Sequence, residues 1–130
     1  ISLGVENNNY FPSLAYDTIT DSDFIREAVY SNDLYFLFDI AHAKVTAYNR
    51  KINYYEYRDS LPLDKMIQVH VCKHGIDESK GFAFDAHDFP DEEVIQELEY
   101  LKANYPVKYV TIEYYKDAAK LVKFLEEYRK

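Results

Sequence analysis

An α/β fold built on a parallel sheet is what this sequence predicts, and three observations carry the prediction. Strand-length apolar runs alternate with segments of helical period, four times over. The run Leu34-Tyr35-Phe36-Leu37-Phe38 is apolar without alternation, as a strand covered on both faces is. The 130 residues, 48% hydrophobic and 29% charged, have the size and composition of one folded domain spanning 1–130.

Each element has its own signal. Ser2 to Glu6 reads as a short buried strand, broken by Asn7-Asn8-Asn9 and Pro12. Thr20 is the expected N-cap of a helix running to about Tyr30, with Asp23 as capping-box partner and Phe24, Ile25, Ala28 and Val29 inward. Strand Leu34–Phe38 follows, then helical segments over Ala41–Tyr48 and Tyr54–Ser60. Met66–Cys72 is the third strand. A long loop carrying Gly75 and Gly81 is expected to lead past Asp85 to a helix opened by Pro90-Asp91, where Val94, Ile95, Leu98 and Leu101 repeat at helical spacing. Asp91, Glu92 and Glu93 suit the positive end of that helix dipole. Lys108–Glu113 is the fourth strand, and Asp117 to Tyr128 a last helix with Leu121, Val122, Phe124 and Leu125 inward.

Charge and composition exclude several function classes. With 23 acidic and 15 basic residues the net charge is -8, so nucleic acid is not an expected partner. No apolar run is long enough to span a bilayer, so no membrane partner is expected. A single cysteine, Cys72, suits a reducing cytoplasm. Three glycines in the whole chain leave no Walker loop and no dinucleotide fingerprint, and no Gly-x-Ser-x-Gly occurs.

The ionisable residues then separate an open doubly wound sheet from a barrel. Glu6 closes the first strand, Asp39 the second and Glu113 the fourth, and His70 nearly closes the third. Parallel strands bring all four to one rim, where barrel enzymes assemble their chemistry. His42 stands three residues after Asp39, on the same side of a helical turn. Asp85 and His87, two apart in extended chain, would face one way. Four carboxylates and three imidazoles without thiolates suit iron, zinc or manganese, and bridging carboxylates let two or three cations sit together. Taken singly, each residue has an ordinary explanation: a helix N-cap for Asp39, a hydrogen-bonded core histidine for His70, solvated strand ends for Glu6 and Glu113. Their coincidence at four successive strand ends favours the metal reading. His74 beside Gly75 is expected on the surface, and Cys72 in apolar packing.

The same residues carry a resemblance. Glu6, Asp39-Ile-Ala-His42, His70, Asp85-Ala-His87 and Glu113 follow the ligand order of the xylose-isomerase-like TIM barrels. "VENNNY", "FLFDIAHAKVTAYN" with its trailing Asn49, "LPLDKMIQVHV" and "FDAHDFP" resemble the multinuclear non-heme iron-dependent oxidative enzymes of the methanobactin-biosynthesis type. The resemblance implies metal ligation by Glu6, Asp39, His42, His70, Asp85, His87 and Glu113. It implies two or three metal ions, iron first with zinc or manganese as alternatives, and O2-dependent oxidation of Cys residues in a peptide substrate that a partner protein can present. The Asn residues after Glu6 (Asn7, Asn8 and Asn9) and Asn49 would orient ligands. One local difference is Lys73-His74-Gly75, where the family carries a glycine soon after the ligand histidine.

The expected architecture is therefore the C-terminal half of a (βα)8 TIM barrel, four strand–helix units whose N-terminal half is missing. Ile1 opens the chain without an initiator Met, and four strands alone leave two open edges, both consistent with a piece of a longer protein. Two other readings remain: an endonuclease IV-like or sugar-isomerase-like metal hydrolase or isomerase, and a non-catalytic fragment acting by protein interaction.

Overall fold

The computed structural model describes residues 1–129. Four strands, β1 (Gly4–Glu6), β2 (Tyr35–Asp39), β3 (Met66–Val71) and β6 (Tyr109–Ile112), form one sheet in the order β1-β2-β3-β6. Every pairing in it is parallel. Helices α1 (Ser22–Ser31), α2 (Ile40–Arg50), α3 (Tyr54–Ser60), α4 (Glu92–Asn104) and α5 (Ala118–Tyr128) connect or follow the strands. An α/β unit with a four-stranded parallel sheet, compatible with half a barrel, is thus what the sequence makes.

Strand alternation sorts the side chains. Phe36 and Phe38 on β2, with Val69 and Val71 on β3, join Ile25, Val29, Val94, Leu98 and Leu101 in one buried apolar cluster. The other set is polar toward the C-terminal ends: Glu6, Asp39, His70 and Thr111. Register staggers the rim. Glu6 pairs with Leu37, Asp39 with His70, and His70 with Thr111, leaving Glu113 two residues further on. Lower on that face Tyr35 and Tyr109 are exposed.

Several expectations are corrected. Residues 73–88 are not a loop but an antiparallel hairpin of β4 (Lys73–Asp77) and β5 (Phe82–Asp88). At Gly75 a Cβ would lie 2.5 Å from Cζ of Phe84, an exposed ring that would have to turn aside. Gly81 takes φ +71 in the turn, a conformation costly for other residues. Thr20 does not cap α1; its hydroxyl donates to the Tyr16 carbonyl, and Asp21 holds the N-cap position without a side-chain bond. Phe24 and Val122 are exposed rather than inward, and α5 buries no residue fully. Asp91 does cap α4, accepting from Val94 N–H. Among the described residues no helix is long and apolar enough to cross a membrane.

Candidate metal centre

Asp39 does two jobs at once. As the last residue of β2 and N-cap of α2, its Oδ1 accepts the His42 backbone N–H at 2.8 Å. Its side chain is fully buried, and Oδ2 has no hydrogen-bond partner. Burial therefore pushes its pKa up to about 6, against the pull of His42. The ordinary cap and the ligand are two oxygens of one carboxylate.

Asn7 fixes this corner. Wholly buried just past β1, it accepts the Asp39 backbone N–H at 2.8 Å and donates to the Asp39 carbonyl at 3.0 Å. Its own carbonyl lies 2.8 Å from His42 Nδ1. With Nδ1–H donated there, His42 Nε2 is left to face Asp85 Oδ2 at 3.1 Å and Asp39 Oδ2 at 3.8 Å. Burial opposes charge on His42, but Asp85, Asp39 and the Asn7 carbonyl outweigh it and push the pKa up to about 9.

His70 stands at the middle of the rim. Its Nε2 lies 3.2 Å from the Gln68 side-chain nitrogen, and Gln68 also donates to Thr111. Its Nδ1 lies 3.0 Å from Glu113 Oε1, 3.2 Å from Glu6 Oε1 and 4.0 Å from Asp39 Oδ2. The contact to Glu6 raises the His70 pKa against the effect of burial, and the same contact lowers that of Glu6.

The hairpin delivers the remaining pair. Asn49 of α2 binds the backbone of Ala83 through both ends of its amide, anchoring β5 two residues before Asp85. Asp85 Oδ2 meets His42 Nε2 and, at 2.9 Å, His87 Nε2. His87 Nδ1 lies 3.8 Å from Glu113 Oε2. The expected extended spacing is not how this happens: His87 has φ 46, in the left-handed region, a strained conformation for a non-glycine residue.

All seven predicted residues thus meet in one connected cluster at the rim. Two groups within it bring three donor atoms within 4.8 Å of one another: Glu6, Asp39 and His70, and Cys72, Asp85 and His87. The donor set fits a cation. Among the described residues no lysine or arginine pairs with Glu6, Asp39, Asp85 or Glu113; their ion-pair partners are imidazoles. Asp39 Oδ2, His70 Nδ1 and His87 Nδ1 are buried atoms without a hydrogen-bond partner. His70 Nδ1 comes within 3.2 Å of two carboxylates without hydrogen-bond alignment. Two ligand atoms about 2.1 Å from one metal at right angles lie about 3 Å apart, so this spacing is compatible with shared coordination as well as with an ion pair.

Two residues were read too plainly in the sequence. Cys72 is buried, but its Sγ lies 3.7 Å from Asp85 Oδ1, and burial with the nearby carboxylates raises its pKa. Alternation with Gln68 and His70 is the signal that points it to the rim. His74 is a half-buried residue of β4, lining a cavity of about 680 Å³ with Lys44, Tyr48 and Lys73, away from the cluster.

Comparison with known proteins gives a consistent answer. The profile described as "RiPP precursor modification enzyme MbnB/TglH/ChrH" matches residues 1–130. A UPF0276 protein of Caulobacter vibrioides is 30% identical over 88 residues, 68% of this chain and 31% of the relative. A UPF0276 protein of Acaryochloris marina is 28% identical over 86 residues, 66% of this chain and 30% of the relative. The aligned part of the chain spans about a third of the length of these curated relatives.

Proposed function

The chain belongs to the MbnB/TglH/ChrH family of RiPP precursor modification enzymes, and from that premise we propose that it is the metal-holding, C-terminal half of a xylose-isomerase-like (βα)8 barrel enzyme that modifies a precursor peptide. Glu6, Asp39, His42, His70, Asp85, His87 and Glu113 hold two or three metal ions, iron in this reading. The observation that carries it is the orphaned, fully buried Oδ2 of Asp39, in a set of donors that no lysine or arginine among the described residues neutralises. A buried carboxylate oxygen without a hydrogen bond is costly, and a divalent cation removes that cost.

Bound iron would supply the O2-dependent oxidation of a substrate Cys. The chain's own residues supply the rest. Asn7 holds the Asp39 backbone and engages His42 Nδ1, turning Nε2 toward Asp85. Gln68, which donates to Thr111, lies against Nε2 on the far side of the His70 ring. Asn49 fixes the strand that carries Asp85. Glu6, His87 and Glu113 are partly exposed, so the peptide approaches from their side. The strands contributed by the rest of the barrel pair with the free edges of β1 and β6 and complete the wall around the metals. The lone free cysteine suits a cytoplasmic setting.

Elemental analysis of the full chain purified without oxygen tests this reading. Two or three equivalents of iron, with oxygen consumed on adding precursor peptide, are expected. Stoichiometric zinc or manganese with no oxygen consumption would replace it by a hydrolase or isomerase, and a metal-free folded chain would leave only an interaction role.

A further inference from the structure

Cys72 is a donor side chain beside Asp85 and His87 that the seven-residue set does not use. It follows β3 directly, two residues beyond His70, and alternation puts the two on the same face. The residue is fully buried, yet it does not end in an apolar pocket. Its Sγ lies 3.7 Å from Asp85 Oδ1 and within 4.8 Å of ligand atoms of both Asp85 and His87. Asp85 Oδ2, its other oxygen, is 2.9 Å from His87 Nε2. A second, independent sign of a cation comes from the side: the wholly buried Asp39 aims an unpartnered Oδ2 at His42 Nε2, which itself touches Asp85 Oδ2.

We propose that Cys72 is a metal ligand, completing with Asp85 and His87 a sulfur-containing subsite beside the one formed by Glu6, Asp39 and His70. On binding, the S–H bond breaks, a sulfur–metal bond forms and the proton leaves to solvent; the metal keeps its oxidation state. Within that subsite Asp85 turns Oδ1 toward the sulfur and Oδ2 toward His87 and His42. Chemically the subsites differ. Glu6, Asp39 and His70 offer hard oxygens and one nitrogen, whereas Cys72 adds a soft donor that favours thiophilic cations. The inference rests on the metal-centre reading proposed above.

Cobalt(II), added alone to the metal-free full chain, separates the two ideas. The expected result is an intense sulfur-to-cobalt charge-transfer band in the near ultraviolet. In Cys72→Ser the band is lost while cobalt still binds, with only the weak bands of oxygen and nitrogen ligation. X-ray absorption at the cobalt edge of the unmutated chain needs no variant and should count one sulfur at about 2.3 Å. Cobalt bound with oxygen and nitrogen neighbours alone, or a band that survives in Cys72→Ser, overturns the thiolate ligand and leaves the metal centre standing. No cobalt bound at all overturns both.

Discussion

Two clusters of charged and polar side chains lie on either side of this sheet, and they are built to opposite ends. Behind it, Arg58 and Glu97 are each less than a tenth exposed and meet at 3.0 and 3.1 Å through one guanidinium nitrogen. Tyr54 donates to the same carboxylate at 2.8 Å, Arg58 Nε binds Asp59, and the Tyr100 ring lies 4.3 Å from the guanidinium carbon. Charge is matched there. At the rim four carboxylates face three imidazoles, and three buried donor atoms have no partner. A buried ion pair that satisfies itself needs nothing further, whereas the rim leaves donor atoms that a cation would satisfy.

The comparison can be broken most decisively by substitution at the rim. His70→Ala or Asp85→Ala should abolish metal uptake, measured by elemental analysis, with the chain still folded by circular dichroism; unchanged uptake would mean that the orphaned atoms are incidental. Glu97→Ala should do the reverse, costing about 3 kcal/mol of stability in denaturant unfolding because the buried Arg58 keeps only Asp59 as its partner, with metal stoichiometry unchanged.

Smaller effects sharpen the contrast. Asn7→Ala leaves every ligand in place but frees the Asp39 backbone and the His42 tautomer. Metal affinity should fall about 10–100-fold in competition with a chelator, and an unchanged affinity would make Asn7 a packing residue only. The smallest difference lies within Asp39 itself. Asp39→Asn keeps an oxygen to cap α2, so in the metal-free chain it should be about 1 kcal/mol more stable than Asp39→Ala; equal stability would remove the capping half of its double role.

The rim was more legible in the sequence than the elements around it. Strand ends are easy to place because an apolar run stops at Glu6, at Asp39 or at Glu113, and parallel topology sends all of them to one side. The hairpin was not legible. Lys73-His74-Gly75-Ile76-Asp77 has neither β-branched density nor a two-residue turn, and it is a strand only because β5 pairs with it across a turn closed by Gly81. His87 meets Asp85 with a left-handed backbone rather than through the extended alternation that the spacing suggests. Cys72 was hidden by habit of residue type: a small buried thiol reads as packing until the strand's alternation is followed one step past His70. Phe24 and Val122 could not be read as exposed, because helical period says which face is apolar but not what lies against it.

Anomalous X-ray diffraction at the iron edge, from crystals of the full chain grown without oxygen, tests the central claim most directly. Peaks should stand among Asp39 Oδ2, His70 Nδ1, His42 Nε2 and the Asp85 carboxylate, within about 2.3 Å of their ligand atoms. A fully iron-loaded protein with no anomalous signal at that rim, and Asp39 Oδ2 hydrogen-bonded to water instead, would contradict it.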